Sequence, residues 1–419
     1  MLIIQRLQGD SMATIKRTLL PVISEHNPQQ LLAIYGPHFC GKSSLVKQIL
    51  QEQSSCVSLD GDDHSDIMYL LAISEKSAVE FLQDKTCLFI KNAHKVPKIR
   101  SLLKVLATAN RSFEQKRMIV ITSAIDLKLN HDEDNLLAIN IERMLDIDEQ
   151  SLLFREISLW PFTLNELLAD CSPDTYKPII DQCLVKGLTP QVIANKDNTS
   201  SSLIDDLRLE ARDKIDLLLH DIHLLAPQLS IIKFHELLLI LAQKLGKQLD
   251  LEELANTLGL GRTLVEQYIA VLDRCLAIKI CKSIHLSVKG ELSDGVKVYF
   301  TDIAIRNHLI DEFRPIEERN EQEQHALFEN LFYMERYKLH CLNRSNISLY
   351  YWRLASSFAA KEQTDSIDFV ELGNGMRAYQ CGYHDGVCKH FDTAGVFVKS
   401  YHNCSLHRVT MDNLLDSIH

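Results

Sequence analysis

The chain has no long apolar run. Its most apolar stretch, Leu237-Leu238-Leu239-Ile240-Leu241-Ala242, lies between Glu236 and Lys244 and is far too short to span a bilayer. The opening Met1-Leu2-Ile3-Ile4-Gln5-Arg6 carries no signal-peptide apolar region. Positive charge is in deficit: 45 Lys and Arg against 56 Asp and Glu leave a net charge of −11. Nothing in the whole-chain charge favours nucleic acid, so such binding needs a local basic patch. Cysteines number 11, an odd count that suits reduced thiols better than a disulfide framework. No internal repeat is visible. These absences predict a cytoplasmic protein with no membrane partner. What is present is ordinary globular composition, 46% hydrophobic and 24% charged, which argues against long disorder. A chain of 419 residues exceeds one ordinary core and calls for several domains.

The segment Gly36-Pro37-His38-Phe39-Cys40-Gly41-Lys42-Ser43-Ser44 fits the phosphate-loop pattern G-x-x-x-x-G-K-[ST] at every fixed position. Leu31 to Tyr35 before it reads as a buried strand, and Leu45 to Gln53 after it as an amphipathic helix. That setting suits the chemistry. The two glycines let the backbone wrap phosphates, and the N–H groups at the helix start point at the anion. Lys42 adds a point charge, and Ser43 offers a hydroxyl to Mg²⁺. All nine residues are therefore candidates for nucleoside triphosphate binding, with Ser43 the candidate metal ligand.

Short apolar runs alternate with helical stretches as far as Trp160: Cys56–Leu59, Thr86–Ile90, Arg117–Ser123 and Glu156–Leu159. This pattern predicts a parallel sheet covered by helices on both faces. From Asn165 to Lys247 the spacing turns helical, with a polar break at Asp197–Ser202. Leu251 to Leu260 and Arg262 to Asp273 have the spacing of a helix-turn-helix, and Ala277–Leu286 with Val296–Thr301 could supply a wing. Glu317–Gln324 is polar and reads as a linker or exposed helix start. Mixed α and β signals follow, with strands at Ser348–Trp352, Ile367–Leu372 and Met376–Gln380.

Several short marks then fall in one order. They are the phosphate loop, Phe89-Ile90-Lys91-Asn92-Ala93-His94-Lys95-Val96-Pro97, Thr122-Ser123, Arg155, and Leu159-Trp160-Pro161-Phe162-Thr163-Leu164-Asn165-Glu166. After them come Lys186-Gly187-Leu188-Thr189-Pro190, Lys297-Val298-Tyr299-Phe300-Thr301-Asp302, Phe328-Glu329-Asn330, and Tyr351-Trp352-Arg353 followed by Ile367-Asp368-Phe369. In this order the chain resembles AAA-type P-loop ATPases that carry a winged helix and a C-terminal domain similar to PD-(D/E)XK nucleases. The resemblance implies an ATPase domain over 1–168, a helical lid over 169–235, a winged helix-turn-helix over 236–312 and an α/β nuclease-like domain over 313–419. It also implies ATP, with Mg²⁺, as the ligand.

Two departures stand out. Relatives end the third strand in Asp-Glu, which hold the Mg²⁺ shell and polarise water; here it ends in Lys91-Asn92. An ammonium about 4 Å from a metal opposes it by several kcal/mol at an effective dielectric of about 20. Lys91 could instead replace part of the cation and neutralise phosphate charge directly. Asp60, Asp62 and Asp63, after the second strand, are the acids that could substitute, although a solvated turn explains them equally. Arg155 is a candidate phosphate sensor or trans-acting finger, and Thr122-Ser123 a candidate sensor pair. By position, the nuclease-like site falls on Glu329, Asp368, Gln380 and Gly382, so its third acid and its lysine are missing. Phosphodiester cleavage is not expected, and Glu329 is assigned a structural role, capping or pairing with Arg353.

The second helix of the helix-turn-helix offers Arg262 but also Glu266, and the wing offers Lys279, Lys282 and Lys289 among acids. Duplex DNA binding stays open but is not favoured. Cys381, His384, Cys388, His390, His402, Cys404 and His407 cluster near the end with irregular spacing, and a zinc site there is not expected. The residues thus predict an ATP-binding switch or scaffold with slow or absent hydrolysis, working with a protein partner or by self-association. An active ATPase using Asp62 or Asp63 with Arg155, and a DNA-associated regulator, remain the alternatives.

Overall fold

In the computed structural model the expected alternation of strand and helix is a five-stranded parallel sheet in the order β2-β3-β4-β1-β5. Described residues are 15–50, 55–129, 153–190, 200–284, 295–354, 366–373, 375–384 and 395–418. The strands are β1 (Leu31–Tyr35), β2 (Cys56–Asp60), β3 (Cys87–Lys91), β4 (Met118–Ser123) and β5 (Phe154–Ser158). Between and before them lie α1 (Leu19–Ser24), α2 (Lys42–Leu50), α3 (His64–Leu71), α4 (Ala78–Gln83) and α5 (Ile99–Arg111). β1 is apolar throughout, and β3 and β4 are apolar up to Lys91 and Thr122, because both faces are covered. Ala33, Tyr35, Leu88, Ile90 and Ile121 pack on Leu103 and Leu106 of α5. Leu32, Ile34, Phe89 and Val120 pack on Leu45 and Val46 of α2.

A helical region follows: α6 (Leu164–Leu168), α7 (Tyr176–Lys186), α8 (Ser200–Leu225), α9 (Ile231–Gln243), α10 (Leu251–Leu258) and α11 (Arg262–Arg274). Residues 197–199 of the expected polar break lie outside the described residues. Gly259 closes α10 in the left-handed region at φ 65°, and α11 starts beyond it. β6 (Ile278–Ser283) and β7 (Val296–Phe300) pair antiparallel as a hairpin. That hairpin does not stand alone. β6 pairs parallel with β8 (Ser348–Arg353) through Lys282↔Tyr350 and Ser283↔Tyr351. With β9 (Ser366–Gly373), β10 (Gly375–Cys381) and β11 (Cys404–Val409) they form one six-stranded sheet, β11-β10-β9-β8-β6-β7. The sheet therefore runs across the boundary expected at 312/313. α12 (Ile303–Leu309), α13 (Glu321–Asn343), α14 (Gly395–Ser400) and α15 (Leu414–Ile418) complete the chain. The expected exposed helix start is found: Asn320 caps α13 and Glu321 and Gln322 are exposed, while further along the helix Phe328, Phe332 and Tyr333 join Tyr299, Phe300 and Phe369 in one core.

Several sequence marks prove to be fasteners. Thr163 and Glu166 make a capping box on α6, and Glu166 also accepts from Thr18 N at 2.7 Å. Asn330 clamps the backbone of β7, accepting from Phe300 N at 2.8 Å and donating to Phe300 O at 3.1 Å. Asp302 caps α12 and holds buried Lys214 at 2.7 Å. Gly187, at φ 82°, is required where it lies, since a Cβ there would fall 2.3 Å from Asp302 Oδ1. Among the described residues no helix is long and apolar enough to cross a membrane.

Candidate functional site

The phosphate loop leaves β1 and enters α2 at Lys42. Gly36 packs so tightly that a Cβ would lie 2.2 Å from Leu159 O. Phe39 and Gly41 take left-handed conformations, at φ 60° and 96°, which coil the loop. Lys42 is buried and donates Nζ to Gly36 O at 2.5 Å and Pro37 O at 2.7 Å. Burial pushes its pKa down, with Cys40 and Asp221 pulling the other way. Pro190, the last residue of the Lys186–Pro190 mark, sits over the loop, its Cγ 3.5 Å from where a Cβ on Gly41 would stand.

At the end of β3 the missing acids are replaced by a closed network. Lys91 Nζ donates to Asp60 Oδ2 at 2.6 Å. Asn92 donates to Asp60 Oδ1 at 3.0 Å and Asp62 Oδ2 at 2.6 Å, and Lys95 reaches Asp62 Oδ1 at 2.5 Å. Burial would raise the Asp60 carboxyl, but these donors outweigh it and hold it low. Asp63 accepts from Ser65 N and Asp66 N as the N-cap of α3. Two sequence expectations need correcting here. The Lys91 ammonium is turned to Asp60, which neutralises it, so it is not held free to offset phosphate charge. Asp62 and Asp63 are committed to Asn92, Lys95 and the helix cap. As it stands, this donor set does not fit a nucleotide-bound Mg²⁺: the β3 end offers an ammonium and an amide, and Ser43 alone remains.

Arg155 aligns with Leu32, at the far end of β1 from the loop, and donates to Val22 O at 2.8 Å. Within one chain it does not reach the phosphate loop. Ser123 is tied to Ile125, accepting from its N at 3.0 Å and donating to its O at 2.5 Å. Thr122, aligned with Ile34 just before the loop, is 1% exposed and its hydroxyl has no partner among the described residues.

The residue that sequence reading missed is Asp221. α8 buries a stripe through Leu207, Ala211, Ile215, Leu218 and Ile222, and that stripe also carries Glu210, Lys214 and Asp221. Asp221 Oδ2 meets His38 Nε2 of the phosphate loop at 2.6 Å, and Oδ1 meets His94 Nε2 at 3.2 Å. His94 Nδ1 accepts from Ala124 N at 3.3 Å, which leaves its Nε2 as the protonated nitrogen. One carboxylate thus joins the loop, the turn after β3 and the end of β4 to α8. Burial would raise the Asp221 carboxyl, but the hydrogen bonds from His38 and His94 win and hold it far below the usual range. An acid on the apolar stripe of a helix was the available signal.

In the C-terminal sheet Glu329 and Asp368 do meet. Glu329 Oε1 accepts from Lys297 Nζ at 2.8 Å and Tyr299 OH at 2.5 Å, and Asp368 Oδ2 accepts from Cys381 N at 2.7 Å. The expected Glu329–Arg353 pairing is not formed; Arg353 donates to Gln248 Oε1 at 3.3 Å instead. His325 adds a nitrogen, and the ligand atoms of His325, Glu329 and Asp368 lie within 4.8 Å of one another. They border a cavity of about 730 Å³. Lys297 is already inserted there, 2.8 Å from Glu329 and 3.9 Å from Asp368. Those two carboxylates raise its pKa against the lowering effect of burial. Lys297 offsets one of the two carboxylate charges from inside the site. Gln380 is buried and donates to Ser366 O at 3.3 Å, while Gly382 N bonds Val409 O.

The residues expected to form a wing offer little to DNA. Lys279 is buried, paired with Asp273 at 2.9 Å and set over the Trp160 and Tyr337 rings. Lys282 is half-buried, and Lys289 lies outside the described residues. Arg262 pairs with Glu266 at 3.1 Å. Cys388 and His390 also lie outside the described residues; among those described, Cys381, His384, His402, Cys404 and His407 join no metal-ligating cluster.

Comparison with known proteins bears on the first sheet. Residues 28–168 match the family described as AAA domain. That match supports an AAA-type P-loop domain over this segment. Beyond it, residues 177–315 match a domain of unknown function, DUF8612. No curated protein matches the chain. Among solved structures, the Walker-type ATPase paby2304 of Pyrococcus abyssi is 14% identical, with 70% of this chain and 93% of that one covered and a TM-score of 0.43. A single-substitution variant of RuvB from Thermotoga maritima is 15% identical, covering 60% and 81%, at a TM-score of 0.26. A DNA replication initiation factor is 12% identical, covering 78% and 91%, at 0.25. Likeness at that level assigns no function.

Proposed function

We propose that this chain binds ATP through its AAA-type domain, hydrolyses it slowly or not at all, and acts in the cytoplasm as a nucleotide-dependent switch or scaffold within a complex. The observation that carries the reading is the contrast between the two halves of the nucleotide site. The phosphate loop keeps its coil, its helix start and Lys42, all of which serve binding. The β3 end keeps no acid, and the nearby carboxylates are spent on Lys91, Asn92, Lys95 and the α3 cap. Binding draws on backbone amides and a lysine; hydrolysis needs a group that orients and deprotonates water.

The winged-helix and nuclease-like assignments belong to the same proposal, as a helix-turn-helix with a hairpin and a sheet bearing a partly compensated Glu329–Asp368–Lys297 site. Buried Lys279 gives the DNA reading no support, and no observation favours the substitute-acid reading. Titrating ATP against the wild type and Lys42→Ala tests the proposal. Saturable binding that weakens by at least about ten-fold in the variant is expected. Equal binding by both would remove the phosphate loop from the account.

A further inference from the structure

We propose that Asp221 discriminates between nucleoside di- and triphosphates, by placing a lid-borne carboxylate where the terminal phosphate approaches His38. This rests on the nucleotide-binding reading and deepens it.

A phosphate in the loop is wrapped by amides and met by Lys42. His38 belongs to that wrap, and its imidazole is bonded to the Asp221 carboxylate at 2.6 Å. Asp221 is 1% exposed and interacts electrostatically with Lys42, so its negative charge bears directly on the loop's anion site. Its second oxygen is fixed by His94, which is itself bonded to the backbone after β4. The carboxylate is therefore held from two sides and cannot turn away without moving α8. A diphosphate fills the amide wrap and leaves the Asp221–His38 bond intact. A third phosphate brings more negative charge toward a buried carboxylate, in a site where water does little screening. It must take His38 from Asp221 and push the helix away. α8 also carries Lys214, bonded to Thr189 at 2.9 Å and to Asp302, the cap of α12, at 2.7 Å. Displacement at Asp221 is thereby passed to the helices beyond the lid, giving the proposed switch a moving part.

The test is calorimetric titration of ADP and of a non-hydrolysable ATP analogue into wild type, Asp221→Asn, His38→Ala and Glu210→Gln. The wild type should hold ADP more tightly. Asp221→Asn should move the ratio toward the triphosphate by about ten-fold or more. His38→Ala removes a compensating partner but leaves the carboxylate, so it should move the ratio the opposite way. Glu210→Gln, another buried carboxyl on the same stripe, should lower thermal stability without moving the ratio. Binding of both nucleotides with ratios equal in wild type, Asp221→Asn and His38→Ala would overturn this inference and leave the nucleotide-binding reading standing. Failure of every protein to bind either nucleotide would overturn both.

Discussion

Replacing Lys91 by Asp together with Asn92 by Glu returns both acids to the end of β3, and the structure sizes the consequence. The Lys91–Asp60 contact is 2.6 Å long, between side chains 40% and 30% exposed. Its loss costs no more than about 1 kcal/mol, and a carboxylate at position 91, directly opposite Asp60, adds a like-charge penalty of about the same size. The strand itself is held by buried Cys87, Leu88, Phe89 and Ile90, so the variant should fold. Charge is the larger effect. Two unit charges at about 4 Å contribute about 4 kcal/mol at an effective dielectric of about 20, and turning ammonium into carboxylate reverses the sign felt by a metal. Partial exposure screens much of this, and in the wild type Asp60 already offsets the Lys91 ammonium. The expected gain is about 1.4 kcal/mol or more, a ten-fold rise in the Mg²⁺-dependent part of ATP affinity. Titration of ATP in Mg²⁺ and in EDTA reads it. Wild-type affinity should change by less than about two-fold between the two, and the double variant should bind at least about ten-fold more tightly in Mg²⁺. Turnover should also rise, by about 10²-fold or more, because the introduced glutamate carboxylate could take the proton of the attacking water. A wild type that binds ATP only with Mg²⁺ would refute the reasoning, as would a variant indifferent to the metal.

Three further outcomes follow from buried charges. Lys214→Met leaves Glu210 and Asp302 facing each other in the core, so chemical denaturation should show a loss of about 3–5 kcal/mol; a loss below about 1 kcal/mol would contradict the network. Lys279→Ala removes an ammonium from between Asp273, Trp160 and Tyr337 and should cost about 1–3 kcal/mol while leaving retention on duplex DNA unchanged. Burial alone would raise the Glu371 carboxyl, but His340 and Arg336 bring it down to about 2 from the usual 4.5. A depressed carboxyl stabilises the fold above its unfolded pKa and loses that contribution as pH falls toward the folded value. The stability difference between wild type and Glu371→Gln should therefore be full near neutral pH, up to about 3 kcal/mol, and shrink from about pH 5 toward pH 2. A difference that does not change with pH would refute the assignment.

Much of the architecture was legible because it rests on periodicity. The first five strands, the helix pair around Gly259 and the later strands at Ser348, Ile367 and Met376 all declared themselves as apolar runs or amphipathic spacing. The phosphate loop was legible because its conformation needs glycine at fixed places. What could not be read was pairing between distant segments. β6 meets β8 over two residue pairs only, so nothing local marks the hairpin as part of the C-terminal sheet. Glu329 looked free to take Arg353, yet Lys297 and Tyr299 claim it from the strand alongside. Asp221 is an ordinary acid in a leucine-rich helix until His38 and His94 are brought to it. Side chains whose partners lie far off in sequence are legible only as anomalies, such as an acid on a buried stripe.

The central claim is that the loop binds ATP while the site turns it over slowly or not at all. Its most direct test is Mg²⁺·ATP incubated with wild type for hours, with bound nucleotide and released ADP measured together and Lys42→Ala as the blank. Saturable binding by the wild type, weakened at least about ten-fold in Lys42→Ala, with ADP at or only slightly above that blank, is the predicted result. ADP accumulating well above the blank would contradict it.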